Sequence, residues 1–293
     1  MKRYLFTGVF SLFAMLSFAQ NESNFTYKVG DFEVALLSWG QKQGNSSILV
    51  GATEDILKEC APQGTFPNAI NAFIVRTPTE TILVDAGFES GLVANLHANN
   101  LHANQIDIIL ITHMHGDHIG GLLSDGKARF SKAKLYLPQQ EYDYWMSDEN
   151  MNKLPKDKQD GFVAARQVVE AYKDRLHLFL PSQWGEKTTA LLPGITPLAA
   201  FGHTPGHTMY LLESGEDKLL IWGDITHAMA VQMPYPEVSV TYDFDPKQAA
   251  ASRKITLERV VDIEIPVAGM HIPFPAIGNI KKDSTEKYQF ISF

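Results

Sequence analysis

The sequence predicts an α/β protein of two sheets packed face to face with helices outside. Two observations carry this. Apolar runs of strand length alternate with stretches of helical period along the chain. The second half also repeats the logic of the first: a hairpin ending in an acid, a helix, then an apolar strand that delivers histidine. In the first half these are residues 71–76 and 81–84 with Asp85, residues 89–102, and 108–111 ahead of His113. In the second they are residues 209–213 and 219–222 with Asp224, residues 246–261, and 265–268 ahead of His271.

Taken in order, residues 1–19 read as an export signal. Lys2 and Arg3 open it, residues 4–18 are mostly apolar but short for a membrane span, and Ser17-Phe18-Ala19 is a small-x-small cleavage site. The mature chain is expected to begin at Gln20 and to be periplasmic or secreted. Residues 20–31 read as a polar N-terminal arm and 32–293 as one domain. Residues 32–38 form a strand. Residues 40–66 are rich in Gly, Ser, Asn, Gln and Pro, with a helical patch at 54–60, and read as a long irregular lid. The two strands at 71–76 and 81–84 are joined by Thr77-Pro78-Thr79-Glu80, a turn with proline well placed. A strand at 134–137 leads into an inserted helical segment, 138–175, expected to cap a pocket or to form a homodimer contact. Short strands follow at 177–180, 188–192 and 195–200.

Composition excludes several classes. The net charge of −8 offers no footprint for nucleic acid. With Cys60 alone, neither an intramolecular disulfide nor a thiolate-bound zinc cluster can form. No stretch beyond the leader is apolar enough to span a membrane.

The chemistry is concentrated in Thr-His-Met-His-Gly-Asp-His, residues 112–118, directly after the apolar run at 108–111. His113, His115, Asp117 and His118 are borderline metal ligands presented at a strand end. A solvated histidine-rich loop is the alternative, but four ligand-type residues at this spacing favour a metal. His203 and His207 in Gly-His-Thr-Pro-Gly-His, Asp224 and His271 also lie at strand ends or in turns, where scaffolds gather function. His97, His102 and His177 stand in polar contexts and read as solvated.

Together these motifs resemble the metallo-β-lactamase superfamily over residues 32–293. The resemblance implies a four-layer αββα sandwich and a dinuclear metal site. It assigns His113, His115 and His203 to one ion, Asp117, His118 and His271 to the other, and Asp224 to both. His203 is preferred to His207 as the first of the paired histidines, although Ala200-Phe201 stand where relatives often carry Thr-Pro. Asp85 would hydrogen-bond a metal-bound histidine. Zinc is the expected ion, with manganese, iron or cobalt as alternatives, because N/O ligands discriminate weakly. A water shared by two such ions becomes a hydroxide nucleophile near neutral pH.

Within the superfamily, residues 270–280 and the stretch 231–254 resemble the branch holding N-acyl homoserine lactone lactonases and methyl parathion hydrolase. The leading expectation is a quorum-quenching lactonase, with Asp117 or His227 assisting proton transfer and Asp224 between the metals. His227 stands three residues after Asp224, where a tyrosine in such lactonases meets the substrate carbonyl, so it is expected to donate a hydrogen bond there. Trp39, Phe66, Met114, Trp145, Phe162, Trp184, Met229 and Phe274 are expected to line a pocket for the apolar tail. An organophosphate triesterase or aryl esterase is the alternative. A dinuclear β-lactamase of the common type would carry cysteine in place of Asp224, and a metal-binding receptor without turnover is the non-enzymatic reading.

Overall fold

The computed structural model describes residues 25–293; the leader read at 1–19 lies outside the described residues. A seven-stranded sheet runs Thr26–Val29, Phe32–Asn45, Thr65–Arg76, Thr81–Val84, Ile108–Leu110, Lys134–Pro138, Leu176–Phe179. Side chains alternate between its faces. Val34, Leu36, Ile108 and Leu110 join the core shared with the second sheet, whereas Ala35, Leu37 and Ile109 join the core under the outer helices. Both faces are buried, which is why these strands read as continuous apolar runs. The outer core is closed by Leu92 and Leu96 of helix Glu89–Ala98 and by Phe162, Ala165, Val168 and Tyr172 of helix Asp160–Tyr172.

The second sheet has six strands in the order Ile195–Ala199, Thr208–Ser214, Asp217–Ile221, Val267–Ala268, Ile277–Lys282, Tyr288–Ser292. Tyr210 faces the first sheet and donates its hydroxyl to the Ile111 carbonyl at 2.6 Å, whereas Met209, on the other face, meets Thr256 of the helix Pro246–Asp262, and both faces join one apolar cluster. The internal repetition is real. Thr65–Arg76 pairs antiparallel with Thr81–Val84, which pairs parallel with Ile108–Leu110 across helix Glu89–Ala98. Thr208–Ser214 pairs antiparallel with Asp217–Ile221, which pairs parallel with Val267–Ala268 across helix Pro246–Asp262. That last helix starts where its sequence says it must: Asp245 accepts the N–H groups of Lys247 and Gln248, and proline stands at the first position. The layers are helix, sheet, sheet, helix, the expected αββα sandwich.

The structure departs from the sequence expectations at four places. The arm at 20–31 contains a strand, Thr26–Val29, paired with Phe32–Asn45. The long loop at 40–66 is largely a hairpin: Phe32–Asn45 runs past a bulge between Ser38 and Gln41 and pairs with Thr65–Arg76 as far as Asn45 opposite Thr65. Its distal half is polar and mostly exposed, so no apolar alternation marks it. Residues 188–192 form no strand beyond an isolated bridge from Leu192 to Ile195. The chain also ends in a hairpin of Ile277–Lys282 and Tyr288–Ser292 that the sequence reading lacks. Among the described residues no helix is long and apolar enough to cross a membrane.

Candidate metal centre

The strand Ile108–Leu110 ends under the second sheet, and the loop after it carries His113, His115, Asp117 and His118. Asp85 terminates the neighbouring parallel strand with φ 57°, a left-handed conformation that aspartate tolerates better than most residues. Its carboxylate accepts the Thr112 N–H at 2.9 Å and the Thr112 hydroxyl at 2.7 Å, and receives His118 Nδ1 at 2.6 Å. This is the expected supporting role: the carboxylate fixes the imidazole so that Nε2 faces the centre. Asp224 ends the corresponding strand of the second sheet. Gly223 before it has φ 60°, and a Cβ there would lie 2.4 Å from His207 Nε2. Only glycine lets the acid enter the site so close to that ring.

Asp224 Oδ2 is the hub. Five imidazole Nε2 atoms surround it: His227 at 2.9 Å, His271 at 3.1 Å, His118 and His203 at 3.3 Å, and His113 at 3.6 Å. On one side His113 Nε2, His115 Nδ1 and His203 Nε2 converge, with His115 Nδ1 3.0 Å from each of the other two. On the other, Asp117 lies 3.8 Å from His118 Nε2 and 3.6 Å from His271 Nε2. The residues that could hold an ion group accordingly: His113 with His115 and His203; Asp117 with His118 and His271; His113 with His118 and Asp224; and His203 with Asp224 and His227.

The donor set fits divalent cations. Tetrahedral ligands at ~2.0–2.1 Å stand roughly 3.3 Å apart, close to the nitrogen separations seen. His118 Nε2 and Asp224 Oδ1 are buried and have no hydrogen-bond partner, a cost that an ion would remove. The carboxylates are kept ionised. Burial raises Asp224, yet the facing histidines, His118 and His271 foremost, bring it well below the usual range. Asp117 is likewise raised by burial and lowered on balance by His118 and His271.

The paired histidines separate by their partners. His203 offers Nε2 to the centre and is held through Nδ1 by Asp243 Oδ1 at 2.8 Å. His207 spends both nitrogens on backbone: Nδ1 on the Ala200 carbonyl at 3.0 Å, Nε2 on the Asp224 N–H at 2.8 Å. That leaves it none for an ion. His271 is oriented by the Ala69 carbonyl at 2.9 Å. His97, His102 and His177 are exposed and belong to none of the ion-holding groups.

His227 is in the site but not posed as the expected donor. Its Nε2 donates to Asp224, and burial leads the influences that push it down to about 4, so the ring is neutral. A neutral imidazole that donates through Nε2 has only a lone pair at Nδ1, and that atom is buried without a partner.

The cavity over the centre, about 360 Å³, is lined by Lys42, Asn68, His115, Gly116, Asp117, Asp224, His227, Tyr242 and His271. None of the eight apolar residues expected in a tail pocket lines it. Phe66, Met114, Trp145 and Phe162 are core. Trp39 packs over Gly87 and Gly91, Trp184 and Met229 pack against the apolar cluster built on the second sheet, and Phe274 packs edge-on to Phe25. Each carries an apolar side chain near a motif, and proximity in sequence does not distinguish wall from core. The residues missed are Lys42, Asn68, Tyr242, Asp243 and Phe244. Lys42 and Asn68 are cross-strand partners on the polar hairpin. Tyr242 stands edge-on to His227 at 4.9 Å, and Phe244, 42% exposed, stacks on His115 at 5.9 Å. The alternation Tyr-Asp-Phe at 242–244 was the available signal.

Stacked sheets with a histidine and aspartate cluster drawn from both halves define a metal-dependent hydrolase. The model of the family described as the metallo-beta-lactamase superfamily matches residues 65–263, and the chain belongs to that superfamily. The chain is similar to a crystallised hydrolase AbOPH of the beta lactamase superfamily, at 29% identity and TM-score 0.80, covering 92% of this chain and 97% of that one. It shares its fold with AidC, a dizinc quorum-quenching lactonase crystallised with its product, at 24% identity and TM-score 0.81, covering 92% and 97%. It also matches the uncharacterised YobT of Bacillus subtilis (strain 168), 27% identical over 142 residues, 48% of this chain and 56% of that protein. The chain thus spans little more than half the length of this curated relative.

Proposed function

We propose that this hydrolase opens the lactone ring of N-acyl homoserine lactones, as a periplasmic or secreted enzyme. The observation that carries the reading is the convergence on Asp224 Oδ2 of ligand groups from both halves of the chain. In this reading His113, His115 and His203 hold one divalent cation, Asp117, His118 and His271 hold a second, and Asp224 serves both. Zinc suits the donors; manganese, iron and cobalt suit them nearly as well. When bound, such a pair supplies Lewis acidity and an activated water.

The chain's own residues do the rest. The Tyr242 phenol is pushed up by burial and then by Asp224, Asp117 and Asp243, so it stays protonated and can donate to the substrate carbonyl. It takes the role that the sequence suggested for His227. Asp117, ionised and facing the cavity, is placed to accept a proton from the attacking water and hand it to the departing ring oxygen. A lactone is neutral, so the net charge of −8 does not repel it.

A second reading, an organophosphate triesterase or aryl esterase, draws support from the half-exposed rings of Tyr242 and Phe244 beside the centre, which suit an aryl leaving group. Assay of the metal-loaded protein on a medium-chain acyl-homoserine lactone and on methyl parathion decides between them. Rapid lactone opening is expected. Lactone turnover within about tenfold of background, beside fast parathion cleavage, would overturn the first reading.

A further inference from the structure

Glu141, in helix Gln139–Met146 of the inserted segment, is fully buried although it is a carboxylate. Its Oε2 accepts the Met114 N–H at 3.0 Å and the Trp145 indole N–H at 2.7 Å. Its Oε1 accepts the Gly206 N–H at 2.8 Å. Met114 lies between His113 and His115, and Gly206 lies between His203 and His207. One side chain therefore ties the two loops that contribute His115 and His203, whose ring nitrogens stand 3.0 Å apart. A second, independent feature brings the same parts together. A Cβ on Gly206 would lie 2.5 Å from Glu141 N and 2.9 Å from Glu141 Cγ, so the loop meets the helix at a distance only glycine allows.

We propose that Glu141 is a positioning residue that locks the His113–His115 loop to the His203 loop and so preorganises the first ion position. This rests on the reading that these histidines hold a divalent cation. A buried carboxylate is costly to desolvate, and each oxygen here recovers that cost from N–H donors. Two acceptor oxygens are needed, one toward each loop. A glutamine has one acceptor oxygen and one NH2 group, so whichever way it turns, one loop N–H faces a donor. Aspartate keeps both acceptors but is one methylene shorter and reaches one loop only.

The test uses the full chain stripped of metal and titrated with zinc against a chromophoric chelator, and with cobalt followed by its d–d absorption. Glu141→Gln and Glu141→Asp are compared with Trp145→Phe, which removes the indole donor and leaves both loop contacts. The expected result is a loss of about tenfold or more in affinity for the first zinc with Glu141→Gln. Its cobalt spectrum should shift, Glu141→Asp should lose affinity as well, and Trp145→Phe should match the wild type in both readouts. Wild-type affinity and an unaltered cobalt spectrum in a folded Glu141→Gln protein would overturn the proposal. Should that variant not fold, wild-type affinity in Glu141→Asp overturns it equally, as does a loss in Trp145→Phe as large as in the Glu141 variants. Failure of the wild-type protein itself to bind zinc would instead overturn the metal reading.

Discussion

His207 accepts the backbone N–H of Asp224 through Nε2 at 2.8 Å, while His203, four residues earlier, leaves Nε2 open toward the Asp224 carboxylate at 3.3 Å. One histidine places the shared acid and the other faces the ion position. Substituting alanine at each should therefore have different consequences. His203→Ala is expected to lose bound metal and activity together. His207→Ala is expected to retain metal in the folded fraction but to lose about 1–3 kcal/mol of stability, the cost of an orphaned buried donor. Metal analysis with denaturant unfolding checks both, and a larger metal loss at His207 would reverse the assignment.

Asp243 supports His203 as Asp85 supports His118. Both accept from Nδ1 of the ring they hold. Removing such a partner loosens the ring and lowers its basicity, typically for a loss of 10–100-fold in metal affinity or activity. Asp243→Ala should fall in that range in a zinc competition titration. Asp243→Asn retains an acceptor and should lose less.

Phe244 and Phe162 both pack against Tyr144 and Trp145. Phe162 is buried and packs 4.8 Å from Trp145, whereas Phe244 is exposed beside His115. Phe162→Ala should cost about 3–5 kcal/mol of stability. Phe244→Ala should leave the melting temperature nearly unchanged and raise KM for substrates with an aryl or long acyl group. Equal KM values for Phe244→Ala and wild type would remove Phe244 from the substrate path.

The apoprotein should be acid-sensitive in a way traceable to His207. Burial, then the neighbouring His203, pushes this imidazole down to about 3. An unfolded histidine titrates near ~6.5, so below that pH the unfolded chain takes up a proton that the folded chain refuses. The stabilisation is complete above pH ~6.5 and is lost as pH falls toward 3. The urea midpoint of metal-free protein should therefore be lower at pH 5 than at pH 7.5, and His207→Gln should show a smaller fall between the same two values. An identical fall would remove His207 as a source.

Much of this was legible in the chain itself. Ile108–Leu110 reads as a buried strand because both of its faces are covered, and a short apolar run without alternation is the mark that double coverage leaves. The ligand-type residues of 112–118, with Asp85, Asp224 and His271, could be read off strand ends, since a strand end is where a buried sheet meets a loop. The polar hairpin of Phe32–Asn45 with Thr65–Arg76 was not legible: beyond Ser38 its pairing is carried by backbone hydrogen bonds, which leave no mark on side-chain polarity.

Periodicity and residue chemistry are local properties, so the chain alone carries the layers, the internal repetition and the identities of the clustered ligand-type residues. Packing across the fold settles which paired histidine faces the centre, that His227 lacks a free donor, and that Lys42, Asn68 and Tyr242 wall the cavity. It also sets Glu141 between two loops that are distant in the chain. These depend on which atoms meet across sequence separations such as the 65 residues from Gly206 to Glu141, and partners that far apart are chosen by packing.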